Sequence, residues 1–400
     1  MTQHDVIIVG GGPAGSSAAI SCAANGMRVL LLEEKHMPRE KVCGEFITPE
    51  CFPTLERAGV VDRLLVEGAR KITRLGLVAS NGKSIESAIS RLSDVESWAM
   101  SLSRSRFDQV LMERARELGA DCQEGVAVKR CINGAEGAVG VEAMLLSEGR
   151  NVTFRAPIVI DASGRNSRLM VTRDERVAGR RGSRLYGLKA HLADVEGIRD
   201  QVELYFFPQG YGGLSLVEGG LANLCFIAGE RTFARAGGDP IKIIEETIKK
   251  NKLASERLRR ARIVGAWHIT GPLSFGKRRL SRAGVLAVGD SSGMIDPFTG
   301  TGIQIALRTG ELAAQAVCER MGAGRHRGDL FADALTQYSA AYEAEFAGRM
   351  RVARLLRITA LSPRLTDMSA RLLARAPRTA RRVLKATRSG LNAGAKLVRD

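Results

Sequence analysis

The chain is poor in the residues and runs that would each have named a function class. Its five histidines and seven cysteines form no Cys-x-x-Cys pair and no Cys/His spacing of the zinc type, so no metal site is expected. The cysteines (Cys22, Cys43, Cys51, Cys122, Cys131, Cys225 and Cys318) are scattered and odd in number. That usage fits reduced thiols in a cytoplasmic compartment rather than a disulfide framework. No stretch of 18 apolar residues occurs, which excludes a spanning helix of the usual kind. The first apolar run begins at Val6, so no signal peptide is expected. No Phe, Trp or Tyr follows Phe346, so the most basic part of the chain has no platform for stacking nucleic-acid bases, and no nucleic-acid partner is expected. No internal repeat is present.

An apolar content of 44% is ample for a folded core and argues against disorder. The net charge is +17, but residues 349–400 carry 14 Lys or Arg against Asp367 and Asp400, so +12 of it lies there. Arginines and apolar residues at helical spacing from Arg349 to Arg357, stopped by Pro363, read either as a helical cap with solvated arginines or as a basic amphipathic surface for an anionic membrane. A preceding helix is expected over Asp329 to Phe346, with shorter pieces up to Arg375 and from Thr379 to Thr387.

Three strand-and-turn motifs follow one another. In the first, the apolar run Val6 to Val9 leads into Gly10, Gly12 and Gly15, a G-x-G-x-x-G. The first glycine permits the turn, the second lets backbone approach a pyrophosphate, and the third lets the following helix pack on the strand. Pro13 and Ala14 open that helix, whose free N–H groups suit an anion. A second strand ends at Glu33, 18 residues after Gly15, where a carboxylate can accept a ribose hydroxyl and repel a 2′-phosphate. The second motif is Ile158-Val159-Ile160-Asp161-Ala162-Ser163-Gly164-Arg165. The third is Val285 to Val288 with Gly289 and Asp290, followed by Asp296-Pro297-Phe298-Thr299-Gly300-Thr301-Gly302. A nicotinamide dehydrogenase needs only the first; the set points to FAD.

These residues resemble the superfamily of geranylgeranyl reductases, single-component flavin monooxygenases and flavin-dependent halogenases, which share a para-hydroxybenzoate-hydroxylase-like fold. Pro38-Arg39-Glu40-Lys41-Val42-Cys43-Gly44-Glu45 is similar to the P-R-x-K-x-C-G segment of geranylgeranyl reductases, and Arg104-x-x-Phe107-Asp108 to their R-x-x-F-D. The resemblance implies an α/β fold: a Rossmann-type FAD-binding domain of the GR2 kind (1–75, 101–165 and 276–320) interleaved with an antiparallel-sheet substrate domain (76–100 and 166–275), plus a helical, basic C-terminal region (321–400). It further implies that Arg39, Arg104, Asp161, Gly289 and Asp290 lie along the FAD. Pro297, Gly300, Thr301 and Gly302 would pass along the ring, and Cys43 would lie beside ring and substrate. A Gly-rich helix start there would favour the reduced, anionic cofactor.

The chain also departs from that family. Where geranylgeranyl reductases carry Y-x-W-x-F-P, it has Tyr211, Gly213, Ser215 and Leu216, which predicts a cavity wall stripped of bulk. No second strand-led G-x-G-x-x-G exists, so electrons are expected from a transiently bound NAD(P)H or from a separate reductase. Flavin carries the chemistry, and the protein candidates beside it are Cys43, Tyr211 and His268, with Glu218 and Asn223 on the same sheet as polar anchors or as part of a turn. Three functions fit: hydride transfer between flavin and a hydrophobic lipid, isoprenoid or polyketide-like substrate; aromatic hydroxylation or halogenation; or a non-catalytic, FAD-stabilised membrane binder.

Overall fold

The computed structural model describes residues 4–360 except 81, 83, 94, 135–136, 171–183, 274, 283 and 322–326. The expected helical pieces beyond Ala360 lie outside the described residues. One sheet has six strands in the order Ser281–Arg282, Val285–Ala287, Ile158–Asp161, Val6–Val9, Val29–Glu33 and Asp121–Glu124. All neighbours are parallel except the first pair. Side chains alternate along a strand, and the four central strands are apolar on both faces. Val6, Ile8, Leu31, Ile158 and Ile160 pack on the helices Pro13–Ala24, Arg104–Glu117 and Gly302–Met321. Ile7, Val9, Leu30, Leu32 and Val159 pack on the antiparallel meander Val126–Gly134, Gly137–Leu145 and Arg150–Arg155. The three turn motifs therefore emerge side by side at the C-terminal ends of adjacent strands, where open α/β sheets take ligands.

The second large sheet has seven strands in the order Arg262–Leu273, Leu185–Ala193, Ala222–Gly229, Gly210–Leu216, Gln201–Phe207, Arg74–Val78 and Ser84–Ala88. It is antiparallel except where Gln201–Phe207 meets Arg74–Val78. The latter strand straddles the expected boundary at residue 75 and pairs wholly within this sheet. On its outer face Leu188, Ala190, Leu192, Leu214, Leu224 and Phe226 pack beneath the helices Glu230–Arg235, Pro240–Glu246 and Lys252–Arg257. The helix Pro240–Glu246 ends at Thr247, whose φ of −127° leaves the helical region; its hydroxyl instead donates to the Ile243 carbonyl.

Among the described residues, Arg327–Ala360 form one continuous helix rather than two pieces. Tyr338, Tyr342, Phe346 and Ala353 are buried in the core of the six-stranded sheet, and the Tyr338 hydroxyl donates to the Ala287 carbonyl at 2.8 Å. Arg349, expected on a solvated or membrane-facing stripe, is 8% exposed and donates to Gln304 at 2.8 Å. The described part of this helix is thus a cap on the first sheet, because its aromatic residues at i, i+4 and i+8 need a core to cover them. No helix among the described residues is long and apolar enough to cross a membrane.

Candidate functional site

A cavity of about 550 Å³ lies at the C-terminal ends of the parallel strands, beside the loop that carries Cys43. Gly10, Gly12, Pro13 and Ala14 form one wall, with Glu33, Arg39 and Arg104 beside them. Gly289, Asp290, Pro297, Gly300 and Gly302 form another, and the loop from Glu40 to Phe46 forms the end. Gly12 caps the first helix with no side chain, so the N–H groups of its first turn are free for a ligand. Gly10 has φ +107°. A methyl group on Gly15 would sit 1.8 Å from the Gly10 carbonyl oxygen, so Gly15 lies behind the wall and sets how closely helix meets strand. Glu33 accepts the Gly11 N–H at 2.7 Å and the Lys35 N–H at 3.0 Å. About two of its roughly four acceptor positions remain.

The cavity is cationic along this part. Arg104 makes a bidentate contact with Asp108, both bonds 2.7 Å; against the cost of burial, that carboxylate holds the guanidinium firmly charged. Arg39 also reaches Asp108, at 3.2 Å. Its Nε is buried without a hydrogen-bond partner, an orphan donor that a phosphate or ribose oxygen would satisfy. Burial and the nearby guanidinium groups of Arg104 and Arg39 pull the Lys41 amine below its ordinary 10.5. Backbone donors, an acid at the ribose position and cations between them fit a dinucleotide such as FAD; Gly12, Glu33, Arg39, Lys41 and Arg104 would hold it.

Several expected residues do other work. Asp161 is fully buried; its carboxylate accepts the Ser163 N–H at 2.9 Å and both the Ser163 and Ser167 hydroxyls. Burial raises its pKa. It shapes the turn behind the cavity instead of lining it. Thr301 is likewise fully buried, between the two glycines that do line it. Tyr211 donates to Asp296 at 2.6 Å, and burial and that carboxylate raise its pKa well above 10.0. Asp296 in turn accepts the Phe298 N–H at 2.9 Å. Tyr211 therefore fixes the glycine turn from the substrate sheet and does not line the cavity. His268 lies on an edge strand opposite Lys189 and is also outside the lining. Glu218 sits in a turn after the sheet strand and accepts the Ser103 N–H at 2.9 Å at the start of the Arg104 helix. Asn223 is on the sheet and donates to the Cys43 carbonyl at 3.0 Å.

Beneath Cys43 lies a polar cluster that the motifs did not reveal. Glu45 is fully buried with φ +54°, an unusual left-handed conformation for a residue other than glycine. Its carboxylate accepts the Arg104 N–H at 2.8 Å, binds the Lys189 ammonium and meets His191 Nε2 at 2.7 Å. Lys189, 1% exposed, also binds Glu40 at 2.6 Å. Burial alone would lower the lysine pKa, but Glu45 and Glu40 outweigh it and raise it. Glu40, Glu45 and His191 are ligand types for a cation, with atoms within 4.8 Å of one another; the Lys189 ammonium already occupies that role between the carboxylates. A signal for the cluster exists in the sequence. Period-2 alternation through Leu185 to Ala193 puts Gly187, Lys189 and His191 on one face and Leu188, Ala190 and Leu192 on the other.

The family follows from comparison with known proteins. A model described as an FAD binding domain matches residues 3–314. The chain belongs to this FAD-binding family. The flavoprotein is 30% identical over 373 residues to digeranylgeranylglycerophospholipid reductase 2 of Methanopyrus kandleri, covering 88% of this chain and 85% of the relative. Among solved structures, a geranylgeranyl bacteriochlorophyll reductase-like protein from Thermoplasma acidophilum aligns with a TM-score of 0.71 at 22% identity, covering 89% and 86% of the two chains. A flavin-dependent brominase aligns with a TM-score of 0.75 at 19% identity over 96% and 94%. These two show the shared fold. The flavoprotein is an FAD-dependent oxidoreductase related to the geranylgeranyl reductases.

Proposed function

We propose that this protein passes hydride between flavin and a carbon–carbon double bond of a hydrophobic small molecule, with NAD(P)H or a separate reductase as the electron source. The observation that carries the reading is one continuous cavity: the dinucleotide cradle runs without interruption into the loop from Glu40 to Phe46, which carries Cys43. Bound FAD would supply the redox chemistry. The chain's own residues supply binding and shielding. Arg39, Lys41 and Arg104 hold the anionic part, while Tyr211 and Asp296 fix the glycine turn that the ring would meet. Phe206, Tyr211, Ile227 and Leu273 form an apolar cluster with Met294 and Phe298 that excludes water from the substrate side. The 30% identity to a lipid reductase supports the same substrate class. Contact of the protein with an anionic membrane surface, where such a substrate would reside, is part of the proposal.

Hydroxylation or halogenation is the second reading, favoured by the thin wall at position 213. A methyl group on Gly213 would meet only the Leu204 tip at 3.3 Å and the Cys225 carbonyl at 3.9 Å. One experiment separates the two. Purified protein is photoreduced anaerobically and mixed in a stopped-flow instrument with oxygenated buffer or with a hydrophobic alkene. Reoxidation by the alkene without oxygen supports reduction. A long-lived transient with oxygen, before the oxidised spectrum returns, supports the second reading. Protein that neither carries nor takes up flavin defeats both.

A further inference from the structure

A second cavity, of about 570 Å³, lies between the hairpin turn after Phe207 and the helical layer on the outer face of the antiparallel sheet. It shares no lining residue with the cofactor cavity, and its volume is that of a small-molecule site. Phe206, Phe207 and Pro208 give it an apolar wall. The Phe207 ring rests directly on the Gly210 backbone, where an added methyl group would come within 2.2 Å of it. Phe206 closes the cavity towards the glycine turn, its ring 5.6 Å from that of Phe298 and 6.2 Å from that of Tyr211. The charged part of the lining is cationic. Arg235 pairs with Glu246 at 3.1 Å, but Arg231 and Lys250 make no ion pair among the described residues, so two positive charges are left over. The hydroxyl of Thr232, a residue 7% exposed, and the Gln209 carboxamide also line the cavity and make no hydrogen bond among the described residues. Gln209 is held at φ +62°, a left-handed position that turns usually give to glycine, so a side chain is kept at the cavity despite the backbone strain. A bare anion would make no use of the phenylalanine wall, and a neutral hydrocarbon would make no use of the cations.

We propose that this cavity is a second ligand site, for an anionic amphiphile: a carboxylate or phosphate carried on a hydrocarbon. The acid group lies at Arg231 and Lys250, with Thr232 and Gln209 as hydrogen-bond donors, and the hydrocarbon lies along Phe207. A free acid and the headgroup end of a membrane lipid present this same chemistry. Because the two cavities share no residue, the site holds whichever reaction the flavin performs.

The test is isothermal titration calorimetry of the FAD-loaded protein with octanoate, octan-1-ol and inorganic phosphate. Octanoate is expected to bind about five-fold or more tightly than octanol, because only octanoate engages the cations. It should bind about ten-fold or more tightly than phosphate, because only octanoate covers the apolar wall. Arg231→Gln combined with Lys250→Gln, both at exposed positions, should cut the preference for octanoate over octanol to about two-fold or less. Arg259→Gln combined with Arg260→Gln removes two exposed charges away from the cavity and should leave that preference unchanged. Equal affinity of octanoate and octanol, phosphate binding as tight as octanoate, or no binding of any of the three would overturn the site. So would a preference that survives Arg231→Gln with Lys250→Gln, which would put octanoate in the cofactor cavity, or one lost equally in both double variants, which would reflect overall charge. Sedimentation with phosphatidylglycerol vesicles assigns the source once the site is established. Retention that drops in Arg231→Gln with Lys250→Gln identifies a membrane lipid, and retention indifferent to that change identifies a free acid.

Discussion

The two ends of the cavity are built in opposite ways. The dinucleotide end is made of backbone: glycine turns at the ends of parallel strands, with free N–H groups and few side chains. The other end, at the Cys43 loop, is backed by side chains from distant parts of the chain, where Glu45, Lys189, His191 and Asn223 meet only because that loop and the antiparallel sheet face each other. The first cannot tolerate an added methyl group at its tightest points, and a few charged side chains complete it. The second tolerates changes of backbone detail but depends on every member of an ion-paired cluster. A cofactor common to a family calls for the first kind of site; a substrate peculiar to one chain calls for the second.

The contrast can be broken most strongly at its ionic centre. Lys189→Met leaves the fully buried Glu45 without its cation and should cost about 3–5 kcal/mol, read as a lowered Tm or denaturant midpoint. Flavin binding should survive in whatever fraction folds. Gly15→Ala attacks the other end. The added carbon meets a backbone carbonyl that cannot swing away, so a loss of about 1–3 kcal/mol is expected, together with loss of bound flavin absorbance. If Lys189→Met removed flavin and Gly15→Ala did not, the division between the two ends would be wrong. Tyr211→Phe sits at the seam. It deletes the bond to Asp296 and should cost roughly 1–2 kcal/mol, with a shifted spectrum or potential of bound flavin because the glycine turn loses its support.

The smallest effect is that of pH. Burial would raise the Glu40 pKa, but Lys189 outweighs it and holds it below 4.5. That stability is therefore present above the ordinary carboxylate range and is lost as pH falls through the depressed value. The raised Lys189 pKa contributes in full below 10.5 and is lost as pH rises through the higher folded value. A Tm–pH profile of wild-type protein should thus fall at both extremes, and both falls should be blunted in Lys189→Met. The Glu40 contribution is modest because its side chain is 32% exposed. A flat wild-type profile would show that the cluster does not contribute to folding.

How much was legible in advance follows the same division. The three turn motifs were readable because each is a local pattern with a local physical cause. The roles of Tyr211 and Asp161 were not. Each was recognised as a motif member, yet what each touches depends on Asp296 in one case and Ser167 in the other. Arg349 shows the limit of reading charge alone. Its place in a basic helical stripe suggested solvent or membrane, but the helix turns its aromatic residues inward and takes Arg349 with them to Gln304. Glu45 was visible beside Cys43 and Gly44 without any sign of its partners, since Lys189 and His191 are about 145 residues away in the chain.

By itself, then, the sequence determined the cofactor class, the family and the succession of strands, since glycine spacing, apolar periodicity and a strand-end acid act over a few residues. Only the tertiary structure decided which of the motif residues line the cavity, that the C-terminal helix caps the first sheet, and that a buried ion-paired cluster backs the Cys43 loop. Those features arise from burial and from partners brought together across sheets, and a buried charge reveals its function only when its counter-charge is in place.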